Sequence, residues 1–387
     1  MNNLKIFFVV SSIFFWCCQS NKNSTINGNL ITIDITKDYP LKKVDIDKIA
    51  DREFIPLETN DDVLFGMGAK LNCVSEKYIL VTDFSRGDIF IFTRNGKIVT
   101  HLNRKGGGPE EYSTISSVVF DEKNEEIFVF DFYMLRQILV YSLTGSYKRL
   151  VKYSDDFIFT SAYNFDDETM LVYDTKGVDF HDRDYNRKPY MFMSKKNGNI
   201  TSVLNINLKE RYSTKVFDRF TDDSGKIWTQ SFSFFVPNKL NDGRGFVISD
   251  VSSDTIYRLN ENRDLIPFIV STPSVHSTDP HVICTCLTIT DKFIILYITT
   301  LDYVALVKGK SPASKTLMYE FETNTMYSVD YKNTVHETLQ KNIDASLAPA
   351  HWFTRLYKEN KLSGELKQLA ATIDEEDNPV VVIEKYK

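Results

Sequence analysis

A strand–turn–strand unit recurs along this chain, and an internal repeat limits the fold more sharply than composition does. The seed is Asp88-Ile-Phe-Ile-Phe-Thr-Arg-Asn-Gly-Lys-Ile-Val99, two apolar strands around Asn95-Gly96, the strongest short hairpin signal. The same grammar returns in Gln137–Tyr147, with Gly145 at the turn, and in Tyr190–Ile200, with Asn197-Gly198 there. Two further copies, Thr255–Leu265 and Leu317–Tyr327, have lost the turn glycine. Their spacing is about 50 residues early in the chain and roughly 60 later, a propeller-blade period once loops are added.

Another strand lies upstream of each hairpin: Tyr78–Asp83, Ile127–Asp131 and Met170–Asp174, then Lys226–Ser231 and Phe293–Ile298. The recurring Asp83, Asp131 and Asp174 suggest a ring of catalytic carboxylates. Repetition at one blade position argues instead for a structural task, because Asp at a strand end accepts hydrogen bonds from turn amides. The fourth and fifth copies carry no such Asp.

Five hairpins leave the two chain ends. Glu53–Glu58 and Leu30–Ile35 read as strands without a complete blade, and Asn378–Lys387 reads as a strong terminal strand. Pairing an N-terminal strand with the C-terminal ones closes the ring and removes exposed edges. The expectation is an all-β, six-bladed β-propeller over residues 30–387, its last blade closed by an N-terminal strand. One short helix, Ser363–Ala371, is expected as an insertion near the C-terminus, capped by Ser363.

The first residues are of a different kind. Lys5 precedes the apolar run Ile6–Trp16, which has the n-region and h-region of a secretory signal and is short for a permanent span. The run ends on Cys17-Cys18 and turns polar at Gln19–Thr25, an order that resembles a bacterial lipoprotein signal. Residues 1–18 then form the signal, Cys18 is the lipidated residue, and 19–29 are a flexible tether. Phe15 and Trp16 depart from the usual cleavage box, which leaves Cys17 as an alternative, and an ordinary cleaved signal is the plainer reading. The tether lacks an acidic pair, which favours a periplasm-facing protein over a surface-exposed one.

A net charge of −6 supplies no basic field for nucleic acid. The stretch Arg104-Lys-Gly-Gly-Gly-Pro-Glu-Glu-Tyr-Ser113 looks like a phosphate cradle, yet Pro109 follows the glycines and a β-branched run follows Tyr112. No helix dipole can point at the glycines. The stretch reads as a crossing between blades, with Glu110, Glu111 and Tyr112 as the residues able to reach a channel mouth. Of six histidines, only Val275–His281 gathers possible ligands, in His276, Asp279 and His281. That loop alone is too little for a metal site, which on a propeller axis draws on several blades.

The remaining candidates have bland readings. Cys284 and Cys286 share one strand face and read as buried free thiols rather than a zinc clip. Asp155-Asp156, Asp166-Asp167 and Glu375-Glu376-Asp377 read as solvated turns. The loop Phe180–Tyr190 could recognise a glycan or peptide, or be an outer decoration. No Gly-x-Ser-x-Gly nucleophile elbow occurs.

Four stretches occur in order: Phe54-Ile-Pro-Leu-Glu-Thr59, Gly106-Gly-Gly-Pro-Glu-Glu-Tyr112, Asp254-Thr-Ile-Tyr-Arg-Leu259 and Asp377-Asn-Pro-Val380. Together they resemble the six-bladed β-propeller lipoproteins of Bacteroides-type bacteria, which are similar to NHL-repeat propellers. The resemblance implies the fold and an envelope location, and brings no catalytic residues, cofactor or substrate with it. The leading expectation is a non-enzymatic, lipid-anchored, monomeric propeller that binds a protein partner or a glycan. The alternative is a metal-assisted lyase or hydrolase with its site on the propeller axis.

Overall fold

Each copy of the repeat folds into a four-stranded antiparallel sheet, and six such sheets stand in a ring. The computed structural model describes residues 30–66, 68–132, 136–178, 187–206, 208–234, 236, 239–241, 245–330 and 337–387. The signal, Cys17, Cys18 and the tether fall outside the described residues. Among the described residues no helix is long and apolar enough to cross a membrane.

The chain begins with edge strands β1 (Ile31–Asp34) and β2 (Leu41–Lys42), a single helical turn α1 (Ile46–Ile49), and β3 (Ala50–Pro56). Blade one follows as β4 (Ala69–Val74), β5 (Tyr78–Asp83), β6 (Asp88–Thr93) and β7 (Ile98–Asn103). Blade two is β8 (Ile115–Asp121), β9 (Glu126–Asp131), β10 (Gln137–Ser142) and β11 (Tyr147–Lys152). Blade three is β12 (Phe159–Asn164), β13 (Thr169–Asp174), β14 (Tyr190–Ser194) and β15 (Ile200–Val203). A two-stranded ribbon, β16 (Lys215–Thr221) and β17 (Ile227–Ser233), stands apart from the ring. Blade four is β18 (Lys239–Asn241), β19 (Gly245–Ile248), β20 (Thr255–Asn260) and β21 (Leu265–Thr272).

Blade five is β22 (Val282–Ile289), β23 (Phe293–Thr300), β24 (Ser314–Glu320) and β25 (Thr325–Val329), with the short helix α2 (Tyr303–Val307) between its second and third strands. Blade six holds β26 (Glu337–Gln340), β27 (Ile343–Ala348), the helices α3 (Ala350–Lys358) and α4 (Gly364–Ala370), and β28 (Val380–Tyr386). Its fourth strand is β3, paired antiparallel with β28 from Val380↔Pro56 to Tyr386↔Ala50, so the expected N-terminal closure is present. β1 instead adds in parallel to β21, and β2 to β25, so the N-terminal segment straps the rims of blades four and five.

Burial of apolar side chains between blades holds the ring together. Leu80, Ile91 and Leu102 of blade one pack on Val118, Val129 and Tyr141 of blade two. Equivalent clusters fill every following seam, ending with Val81 and Phe90 of blade one against Val381 and Ile383 of blade six. The first strands of the blades lie innermost, packed beside one another around the axis. Cys284 and Cys286 are buried in the seam between blades four and five, as free thiols on one strand. Burial pushes both thiols well above the ordinary range.

Two readings of the sequence need correction. Lys226–Ser231 is no blade strand but most of β17 in the ribbon. Strand propensity marks a strand without saying what it pairs with. The true counterpart is Gly245–Ile248, and Asp250 beyond it takes the position of Asp83, Asp131 and Asp174. The C-terminal insertion contains two helices rather than one. Ser363 occupies the N-cap of α4, but its side chain makes no capping hydrogen bond.

Candidate functional site

The two faces of the ring are unlike. On the lower face a hollow of about 360 Å³ opens beside segment 43–49, lined by Lys42, Lys48, Lys292, Glu322 and Lys387 among others, while the described links between blade strands are tight turns. Gly96, Gly145, Gly198, Arg263 and Asn324 occupy the same left-handed slot in five of them. A Cβ at Gly96 would come within 2.1 Å of the Pro56 carbonyl of the neighbouring blade, so that turn requires glycine. The upper face carries long connections between strands: 57–68, 104–114, 273–281, 301–313 and 349–379, with 175–189 and 204–238 described in part.

Aspartates at the ends of second strands tie these connections down. Asp131 accepts from the amide and hydroxyl of Ser113. Asp174 accepts from the Ile158 amide and pairs with Arg187 at 2.9 Å. Asp83 accepts from the amides of Ser85 and Arg86 and from the Ser85 hydroxyl. Burial works against its charge, yet these bonds prevail and hold the carboxyl below its usual range. Asp250 accepts from the Ser252 amide, and complete burial raises its carboxyl instead.

The connection 204–238 climbs from blade three, forms the ribbon and descends into blade four. Its root is a small apolar core of Phe234, Val251, Val275, Ile283 and Leu301, with α2 against the ribbon. Beside that root lies a cleft of about 400 Å³, lined by Glu210, Arg211, Tyr212, Lys215, His281 and Tyr303 among others. A recess of about 120 Å³ continues it past Ser213 toward Thr160 and Thr175.

Tyr212 organises the cleft. Its ring stacks on His281 at 4.0 Å, and its hydroxyl lies 2.7 Å from His276 Nδ1 and donates to Glu210 Oε2 at 3.2 Å. Burial, and then the Glu210 carboxylate, push the phenol up to about 12, so it stays protonated at neutral pH. His281 Nδ1 is 2.9 Å from the Val275 carbonyl, which can only accept. Nδ1 therefore carries the proton, and in the neutral ring Nε2 is an acceptor. Tyr303 also lines the cleft and donates to the Ser213 carbonyl at 2.7 Å. Beneath lies Arg211, 4% exposed, donating from Nη2 to the Asp174 carbonyl, with no acceptor for Nε or Nη1 among the described residues.

The sequence candidates are distributed unevenly around this cleft. His276 and His281 belong to it, through Tyr212 rather than as a pair of metal ligands, while Asp279 lies in the exposed part of their loop. Among the described residues no three His, Cys, Asp or Glu side chains gather as metal ligands. The glycine-rich stretch does cross between blades, from β7 to β8. Tyr112 there is fully buried in the seam of blades one and two, its hydroxyl donating to the Gly87 carbonyl and accepting from the Arg104 amide. Glu111 turns inward on the loop and accepts from the Gly108 amide, and Glu110 is exposed, its carbonyl accepting from Tyr141. Most of the Phe180–Tyr190 loop lies outside the described residues. Sequence reasoning missed Arg211 and Tyr212, since their partners Asp174 and His276 stand 37 and 64 residues away.

The family described as a domain of unknown function (DUF4934) matches residues 30–385. No curated protein matches the chain. Among solved structures, a Bacteroides fragilis protein described as exported is 15% identical, with a TM-score of 0.60 over 92% of this chain and 99% of that one. A member of the DUF4221 family from Bacteroides vulgatus is 8% identical, with a TM-score of 0.47 over 88% of this chain and 97% of that one. At such identity the first likeness shows the fold alone.

Proposed function

The chain belongs to the DUF4934 family, and from that premise we propose that it is a lipid-anchored envelope protein, non-enzymatic, that binds a glycan or protein on its upper face. The observation that carries the reading is the asymmetry of the ring. The ribbon, the long links between strands and the 400 Å³ cleft share one face, while the described links between blade strands on the other are tight turns. In repeat folds, insertions collected on one face commonly form the binding surface. The apolar leader ending at Cys17-Cys18 supports export and lipidation at Cys18, with the propeller on the periplasmic side.

Two measurements on full-length protein test this. Cys18→Ala should lose incorporation of labelled fatty acid in cells, and unchanged labelling would remove the anchor assignment. A bound glycan or peptide should be recovered chemically intact by mass spectrometry after prolonged incubation. Accumulation of a cleaved product would contradict a non-enzymatic role.

A further inference from the structure

We propose that the cleft at the ribbon root takes a carboxylate-bearing sugar, its acid group on Lys215 above Arg211 and its ring along the aromatic wall of Tyr212, His281 and Tyr303. The inference rests on the upper-face binding reading and names the ligand class for it.

Charge is the first support. Lys215 forms no ion pair among the described residues and lines the cleft with its ammonium uncommitted. The Arg211 guanidinium is buried below; Tyr173, Asp250 and Asp174 favour its charged form, while Nε and Nη1 have no hydrogen-bond acceptor among the described residues. Buried donors without acceptors are costly, and an anion seated above would relieve part of that cost. Asp174 and Asp250 favour the charged Arg211 and also hold other partners. Asp174 pairs with Arg187, Asp250 holds the Ser252 amide, and Glu210 takes the Tyr212 hydroxyl.

The second support is what surrounds the charge. A sugar ring needs a flat aromatic wall and several donors and acceptors at its rim. Tyr212, His281 and Tyr303 supply the wall, and His281 Nε2, Glu210 and the recess toward Thr160 and Thr175 supply the rim. The ribbon extends the surface outward. Val216 lines the cleft, and residues two apart on a strand share a face, so Phe220 lies on the Val216 face opposite Trp228. Phe220 and Trp228 are 48% and 45% exposed, a second aromatic platform for the next sugars of a chain. An acidic peptide would use the charge but leave these paired platforms without a purpose.

The test uses the full-length protein and three probes: oligogalacturonate, the same oligomer fully methyl-esterified, and polyglutamate. Titration calorimetry at low and moderate salt reads binding. The acid oligomer should bind, the ester at least about tenfold more weakly, and added salt should weaken the acid form. Lys215→Glu, a partly exposed position that should fold, should weaken the acid form about tenfold and leave the ester unchanged. Equal binding of acid and ester would overturn the carboxylate assignment while leaving upper-face binding intact. Polyglutamate binding in place of oligogalacturonate, with the same loss in Lys215→Glu, would overturn the sugar assignment. Binding of none of the three would overturn the inference, whereas failure of the broader reading would show as no upper-face contact with any envelope component.

Discussion

At the level of single residues, polar side chains in this ring mostly hold blades together. Lys195, in a lower turn of blade three, donates to the Asp121 carboxylate of blade two and to the Asp166 carbonyl, and both charged side chains are almost wholly buried. Arg263 of blade four reaches Asp166 of blade three across the next seam, in a pair about one-third exposed. Removing one member of a buried pair leaves the other charge without compensation, so Lys195→Met should cost about 3–5 kcal/mol. Lys123→Met removes an exposed pair with Asp167 and should cost less than about 1 kcal/mol. Urea unfolding of the two variants against the parent checks the contrast; equal midpoints would deny Lys195 its seam role. The glycine-rich stretch belongs to the same class. Tyr112 looked able to face a channel, but a phenol next to glycines can equally fold inward, and its hydroxyl is used up on backbone partners.

At the level of elements, the ribbon pairs with no blade sheet. Phe217 and Ile227 are 53% and 70% exposed, and the base is already closed by the Phe234 amide donating to the Thr214 carbonyl at 2.8 Å. Replacing Lys215–Ser233 by a two-residue turn should therefore leave the melting temperature within a few degrees of the parent while removing ligand binding. A large loss of stability would show that the ribbon is structural. The ribbon also marks where the sequence was legible and where it was not. Blades one to three announce themselves because Gly96, Gly145 and Gly198 advertise their turns, and left-handed backbone favours glycine. Arg263 and Asn324 adopt the same conformation without advertising it. Lys226–Ser231 has strand composition and reads as a strand of blade four, while the true strand, four residues from Gly245 to Ile248, is too short to stand out. Asp250 was lost with it. The cleft was the least legible part, because Arg211, Tyr212, His281 and Tyr303 come from separate connections that meet only when neighbouring blades pack.

At the level of the whole molecule, six seams and a β3–β28 closure produce a rigid ring with one plain and one elaborated face. Ile31 begins β1 on the rim of blade four, so a lipid on Cys18 would hold the ring by its edge and leave the upper face accessible. The central claim is that this upper face is the one that meets the ligand. It is tested most directly in cells by placing a diazirine amino acid singly at Phe220 or Trp228 on the upper face, or at Asn95 or Asn197 on the lower. Light-dependent adducts, read as gel shifts of the full-length protein, should form from the upper positions and not from the lower. Adducts from the lower positions alone, or equally from both faces, would contradict the account.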